Sequence, residues 1–148
     1  MSNTVTAQER SDIEALIYEH AWVIDHHCSE TLADLYVESG QLTGIGMSHI
    51  GREALKRYGA ARAKMTDRNA RHMYSNLRLV RLEKNRIQGN VTITLYRHDG
   101  PGGLPEPNAV ADAIDVYVKC EDGLWRFSER RLELVFESEA HKASTAQK

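Results

Sequence analysis

The chain has 148 residues, 41% of them hydrophobic and 27% charged, with 19 Lys and Arg set against 21 Asp and Glu. That is material for a single domain spanning 1–148, whose one core can bury about two thirds of the unfolded chain's surface. A formal net charge of -2 offers no broad cationic footprint for nucleic acid. No apolar run approaches the roughly 20 residues of a membrane span, and the first residues lack a secretory apolar stretch, so a cytoplasmic protein is expected.

Thr6-Ala-Gln-Glu9 has the form of a capping box and starts a helix. Ile13, Leu16, Ile17, Ala21 and Ile24 recur behind it at helical spacing, carrying the helix to about Asp25. Ser29 is placed to cap a second, short helix through Val37, which ends before Gly40. Gln41 to His49, with Gly44 and Gly46, suits a short strand or hairpin, and Gly51 opens a third helix to about Lys64. From His72 the pattern changes. His72 to Glu83, Arg86 to Arg97, Ala109 to Cys120 and Leu124 to Glu137 are rich in β-formers, separated by the hairpin-like Lys84-Asn85 and Glu121-Asp122-Gly123. Asp99 to Asn108 holds all three prolines and forms a long loop. From Ser138 there is no periodicity, and a frayed tail is expected.

Helices first and a strand meander afterwards give an α+β class, three N-terminal helices on one face of a curved antiparallel sheet. A cone of that kind can stay partly hollow and hold a small ligand.

Tyr18, Trp22 and Asp25 fall at i, i+4 and i+7 of the first helix, which puts two aromatics and a carboxylate on one side, beside the apolar stripe. A carboxylate at the edge of a core can act as a base or orient a histidine. On spacing alone Asp25 also reads as an exposed last-turn residue before the chain reversal at His26-His27. His72 opens the first long strand, with Tyr74 and Asn76 on its face by period two. Aimed into a cavity it could move a proton near neutral pH; bonded to backbone it would be structural.

The remaining candidates carry less. His20, His26 and His27 have no HExxH-like spacing, so no metal site is expected. His98 and Asp99 read as solvated loop-edge residues. Arg130 and Arg131, alternating with Glu129 and Glu133, read as cross-strand charge pairs or an interface. Cys28 and Cys120, without a CxxC pair, are expected as reduced thiols. There is no GxSxG, P-loop or GxGxxG.

In order and spacing, Ile17 to Asp25, Leu32 to Tyr36, Gly51 to Leu55, Arg71 to Asn76 and Gly123 to Phe127 resemble the nuclear transport factor 2-like superfamily, and within it the SnoaL-like polyketide cyclase and dehydratase domains. The resemblance covers Glu9 to Phe136 and implies a cone-shaped α+β barrel. It also spans many activities, from dehydratases and isomerases to plain binding modules. Phe127 stands after Trp125-Arg126 where limonene-epoxide-hydrolase-like members carry an Asp. Leu42 to Gly46 lacks the carboxylate of ketosteroid-isomerase-like members.

Asp25 and His72 do match the Asp late in the first helix and the His opening the first long strand of scytalone-dehydratase-like and bile-acid-dehydratase-like members. The resemblance therefore implies a cofactor-independent lyase or isomerase acting on a small, mostly apolar cyclic compound. His72 would remove a proton α to a carbonyl while Asp25 holds its tautomer, with Tyr18, Trp22, Tyr58 and Asn76 as pocket lining. The alternatives are a non-catalytic small-molecule-binding module or the small subunit of an aromatic-ring dioxygenase. A homodimer or homotrimer is implied, because sheets of this superfamily usually cover their outer face with another copy.

Overall fold

Thr6 ends the N-terminal segment as the sequence predicts. Its hydroxyl accepts from the Glu9 backbone N–H at 3.1 Å, and the Glu9 carboxylate accepts from the Thr6 N–H at 3.0 Å. Two of the donors left open at a helix start are satisfied by this exchange. The computed structural model describes residues 3–146. The capped helix is α1 (Ala7–Asp25), followed by a 3-10 helix (Ser29–Leu35), β1 (Tyr36–Gly44), β2 (Met47–Ile50) and α2 (Arg52–Ala63). Then come β3 (Arg68–Glu83), β4 (Arg86–Asp99), β5 (Ala109–Lys119), β6 (Trp125–Glu137) and α3 (Glu139–Ala146).

Four differences from the sequence reading have local causes. The second helix is 3-10, and its expected last residues, Tyr36 and Val37, begin a strand instead. Ser29 does not cap it: the buried hydroxyl donates to the Gly59 carbonyl at 2.7 Å, tying this segment to α2. Gly59 is required there, since a Cβ would stand 2.1 Å from the Ser29 carbonyl oxygen. Downstream of Ser138, where a frayed tail is expected, α3 forms over Glu139–Ala146; residues 147 and 148 lie outside the described residues.

The fourth difference concerns the sheet, which is mixed rather than antiparallel. Its order is β2-β1-β6-β5-β4-β3, and every neighbouring pair is antiparallel except β1 with β6, which run parallel with Tyr36 opposite Phe127. The chain returns from the 3-10 helix alongside what will become the last strand, so the short β1–β2 hairpin extends the long meander. Register shifts interrupt β1–β6, β3–β4 and β5–β6; each bulge bends its strand and adds twist. The result is a cone-shaped α+β fold whose sheet curves without closing.

Inside the curve, Ile13 and Ile17 of α1, Leu32 of the 3-10 helix and Leu55 of α2 meet Ile87, Tyr117 and Phe127 of the sheet, all essentially inaccessible. Burying each such side chain contributes about 1.5–3 kcal/mol. Period-two burial is cleanest on β4, where Ile87, Gly89, Val91 and Ile93 face inward, and on β5 it runs through Ala109, Ala111, Ala113 and Asp115. Among the described residues no helix is long and apolar enough to cross a membrane.

Candidate functional site

Beyond this core the cone is hollow. Three alanines, Ala70, Ala109 and Ala111, occupy inward strand positions where larger side chains would fill the space. A cavity of about 370 Å³ opens against them, walled by Ile24, Ile93, Leu95, Leu132 and Leu134. That volume lies at the lower end of the range typical of small-molecule sites, which run to about 300–1,000 Å³. The polar residues around it are His49 of β2, Tyr58 and Arg62 of α2, Arg68 and His72 of β3, Arg97 of β4 and His141 of α3.

Asp25 and His72 meet at the wall of this cavity. Asp25 is the last residue of α1 and 6% exposed. The chain turns away immediately after it, with His27 in the left-handed region at φ 60° and the Cys28 N–H returning to the Val23 carbonyl at 2.9 Å. Both carboxylate oxygens are used by one residue: Oδ2 accepts from the His72 backbone N–H at 2.8 Å, and Oδ1 lies 2.6 Å from His72 Nδ1. A carboxylate only accepts, so Nδ1 carries the proton of this bond and Nε2 is left as the basic nitrogen. The backbone bond fixes where the strand passes α1, and the side-chain bond fixes the ring within it.

Behind the cavity lies a second polar group that sequence reasoning assigned only coarsely. Arg130 is a cross-strand partner, as its alternation suggests, but its partner is Asp115 and the pair is deeply buried, at 1% and 0% side-chain exposure. Two parallel bonds of 2.8 Å, from Nε and Nη2, join the guanidinium to the carboxylate, and the other terminal nitrogen, Nη1, donates to the Tyr74 hydroxyl at 2.8 Å. Tyr117 donates to the same carboxylate at 2.7 Å. Burial opposes the Arg130 charge, but Asp115 holds its proton affinity well above the ordinary value. Arg131, by contrast, pairs with Glu133 of its own strand in solvent. His20 stands nearby, buried with Nε2 2.8 Å from the Tyr36 hydroxyl. Burial, and then the charge of Arg130, pushes this imidazole well below its usual range.

Of the lining residues expected from sequence, Tyr58 lines the cavity, stacked on His49 at 4.4 Å, and burial raises its hydroxyl's proton affinity. The other three do not line it. Tyr18 and Trp22 are 54% and 57% exposed, and Trp22 stacks on His26 at 3.8 Å instead. Their stripe runs outside the buried arc of α1 and reaches it only at Asp25. Asn76 is exposed at φ 57°, inside the β3 bulge between Ser75 and Arg78. The bulge shifts the alternation by one residue, so the inward series His72, Tyr74 continues as Leu77, Leu79.

Three arginines were missed. Arg68 is held by Asp99 through bonds of 2.7 and 3.0 Å, which also keep the Asp99 carboxyl below its usual range. Arg97 sits on the neighbouring strand, and its backbone N–H donates to the Asn108 side chain at 2.5 Å. Arg62 shares the buried stripe of α2 with Leu55, Gly59 and Ala63. An arginine at an apolar position of a helical stripe was the available signal. Among the described residues no three His, Cys, Asp or Glu side chains gather to hold a metal ion.

A cone of helices and open curved sheet around a polar-studded hollow is the architecture of the nuclear transport factor 2-like proteins. The chain belongs to the SnoaL-like domain family, whose profile matches residues 5–131. Among solved structures, a putative scytalone dehydratase from Novosphingobium aromaticivorans is 20% identical, with a TM-score of 0.76 over 88% of this chain and 87% of that one. An NTF2-like protein with a cystatin-like fold from the same species is 22% identical, at 0.73 over 92% and 88%. A protein from Catenulispora acidiphila in complex with S-DNPA is 20% identical, at 0.75 over 97% and 100%. No curated protein sequence matches the chain.

Proposed function

We propose that the protein is a cofactor-independent lyase or isomerase of the dehydratase or cyclase type, acting on a small, mostly apolar cyclic compound through Asp25 and His72. The observation that carries this reading is the 2.6 Å bond between Asp25 Oδ1 and His72 Nδ1 at the wall of an apolar cavity. In the proposed dehydration, His72 Nε2 takes a proton from the carbon α to a carbonyl. The electrons of that C–H bond form the new C=C bond as the β-hydroxyl departs. The imidazolium returns its proton to the leaving oxygen, so one water is released and His72 is regenerated. Asp25 holds the tautomer and stabilises the imidazolium between the two transfers. In isomerisation the same proton returns to a different carbon. General acid-base help of this kind is worth about 10²–10⁴-fold in rate. The fold shared with a putative scytalone dehydratase is consistent with such chemistry.

The test is turnover of a panel of cyclic β-hydroxy ketones, followed by the ultraviolet absorbance of the enone product. His72→Ala and Asp25→Asn should each lose about 10²-fold or more, and undiminished turnover by His72→Ala sinks the assignment. A second reading, a binding module without chemistry, is favoured by the relative that was crystallised with a small molecule; saturable binding of the panel without turnover by the native protein would select it. The same proposal has the chain self-associate as a homodimer or homotrimer, supported by the exposed Met73, Leu82 and Phe136 on its strands. Light scattering that gives a monomer at micromolar concentration removes that part.

A further inference from the structure

One charged side chain of the cavity wall has terminal nitrogens that make no hydrogen bond among the described residues. Arg62 is 6% exposed, and both of its terminal nitrogens are shut off from solvent without a hydrogen-bond partner among the described residues. Leaving a buried guanidinium unsatisfied costs several kcal/mol in general, so a fold that keeps one in the wall of a ligand-sized hollow calls for a reason. Its neighbours do not supply one. Arg68, which also lines the cavity, is committed to Asp99 by two hydrogen bonds. Arg97, across the β3–β4 ladder, adds a third cation to the lining. Burial, and then the charge of Arg68, lower the proton affinity of Arg62 and outweigh the opposing pull of Tyr58, Asp25 and Asp99. The rest of the wall is largely apolar, and Ile93, Leu95 and Leu132 belong to it.

We propose that the cavity selects ligands that carry a carboxylate on an apolar body, with Arg62 as the residue that recognises it. A planar carboxylate matches the two terminal N–H groups of a guanidinium with two parallel bonds, and it neutralises one charge with one. A neutral ketone offers a single acceptor and leaves the cation uncompensated. The flexible stem of Arg62 allows its head to turn onto the incoming oxygens. This inference rests on the cavity being a ligand site, as proposed above, and not on any proton transfer by Asp25 and His72. It narrows the substrate class: the compound that reaches His72 would be a cyclic acid, oriented by its carboxylate.

Binding distinguishes the two claims. Benzoate, cyclohexanecarboxylate and naphthoate are titrated calorimetrically against native protein, each beside its primary amide, which keeps the shape and loses the charge. At least one acid should bind about tenfold or more tighter than its amide. Arg62→Met should abolish that preference, and Arg62→Lys, which keeps the charge but not the fork, should lose most of it. His72→Ala should retain it, so a protein that prefers acids through Arg62 yet turns nothing over keeps this inference while losing the dyad. Arg62→Met should melt no lower than native, because it removes an unpaired buried charge; should it fail to fold, Arg62→Lys carries the test. Equal affinity for acid and amide, no binding of any of the three acids, or a preference that survives in the Arg62 variants overturns the inference.

Discussion

Arg130→Met tests whether the charge pair behind the cavity is integral to the fold. Methionine roughly keeps the length and volume of the arginine stem, so the change removes charge and hydrogen bonds more than packing. Three bonds of 2.8 Å vanish, two to Asp115 and one to the Tyr74 hydroxyl. Asp115, at 0% exposure, is left with the Tyr117 hydroxyl at 2.7 Å. The guanidinium also leaves the face of Phe127, 4.7 Å from its ring centre. Breaking one side of a buried ion pair typically costs about 3–5 kcal/mol, dominated by the charge that stays behind. For a chain of this size that corresponds to a melting temperature lower by roughly 6–20 °C. Urea unfolding measured by circular dichroism should show the same loss at an unchanged slope. Replacing both partners, Asp115→Leu with Arg130→Met, should recover most of it, because no buried charge is then unpaired. A single variant within about 1 kcal/mol of native, or a double variant no better than the single one, refutes the reasoning.

The buried His20 predicts an acid limb of stability. Its folded-state pKa is depressed, so below about 6.5 the unfolded chain takes up a proton that the folded chain does not. Stability should therefore fall as pH drops below that value, by up to about 1.4 kcal/mol per pH unit, until the folded-state pKa is reached. His20→Gln should flatten the limb between pH 6.5 and 5 in denaturant titrations. Ala111→Leu, at an inward β5 position in the cavity wall, should leave the fold intact and melt no more than a few degrees away from native. It should also weaken binding of the ring compounds about tenfold or more, since a space of this size cannot hold both side chain and ligand; calorimetry showing native affinity would mean that the ligand sits elsewhere.

Much of this architecture was legible because local chemistry and tertiary structure agree. The Thr6–Glu9 capping box, the apolar stripe of α1 and the hairpin at Lys84-Asn85 each need only near neighbours to form, and each stands where the sequence puts it. What was not legible depends on partners distant in the chain. Nothing near Tyr36 announces a parallel neighbour, because that neighbour is Phe127. Asn76 fails for a similar reason: period two holds along β3 until a bulge that only the pairing with β4 reveals. Asp25 and His72 stand out through a family resemblance, whereas helical spacing alone favours Asp25 as an exposed last-turn residue. Arg62 and Asp115 could have been noticed, since each is a charge at an inward position of an otherwise apolar period.

The parallel join between β1 and β6 carries a consequence for how the molecule comes into being. β1 has only the four-residue β2 on its other side, so it gains a stable neighbour only after nearly the whole chain is available. Contacts of such large sequence separation are made late and slowly, because the intervening loop must be closed before they repay its entropy. Ile45, Met47 and His49, carried on this hairpin and its turn, form one side of the hollow. A nascent chain emerging without β6 could assemble α1 against β3, and with it the Asp25–His72 contact, while that side of the chamber stays open. The hydrogen-bonded pair would then exist before the compartment that shields it from water.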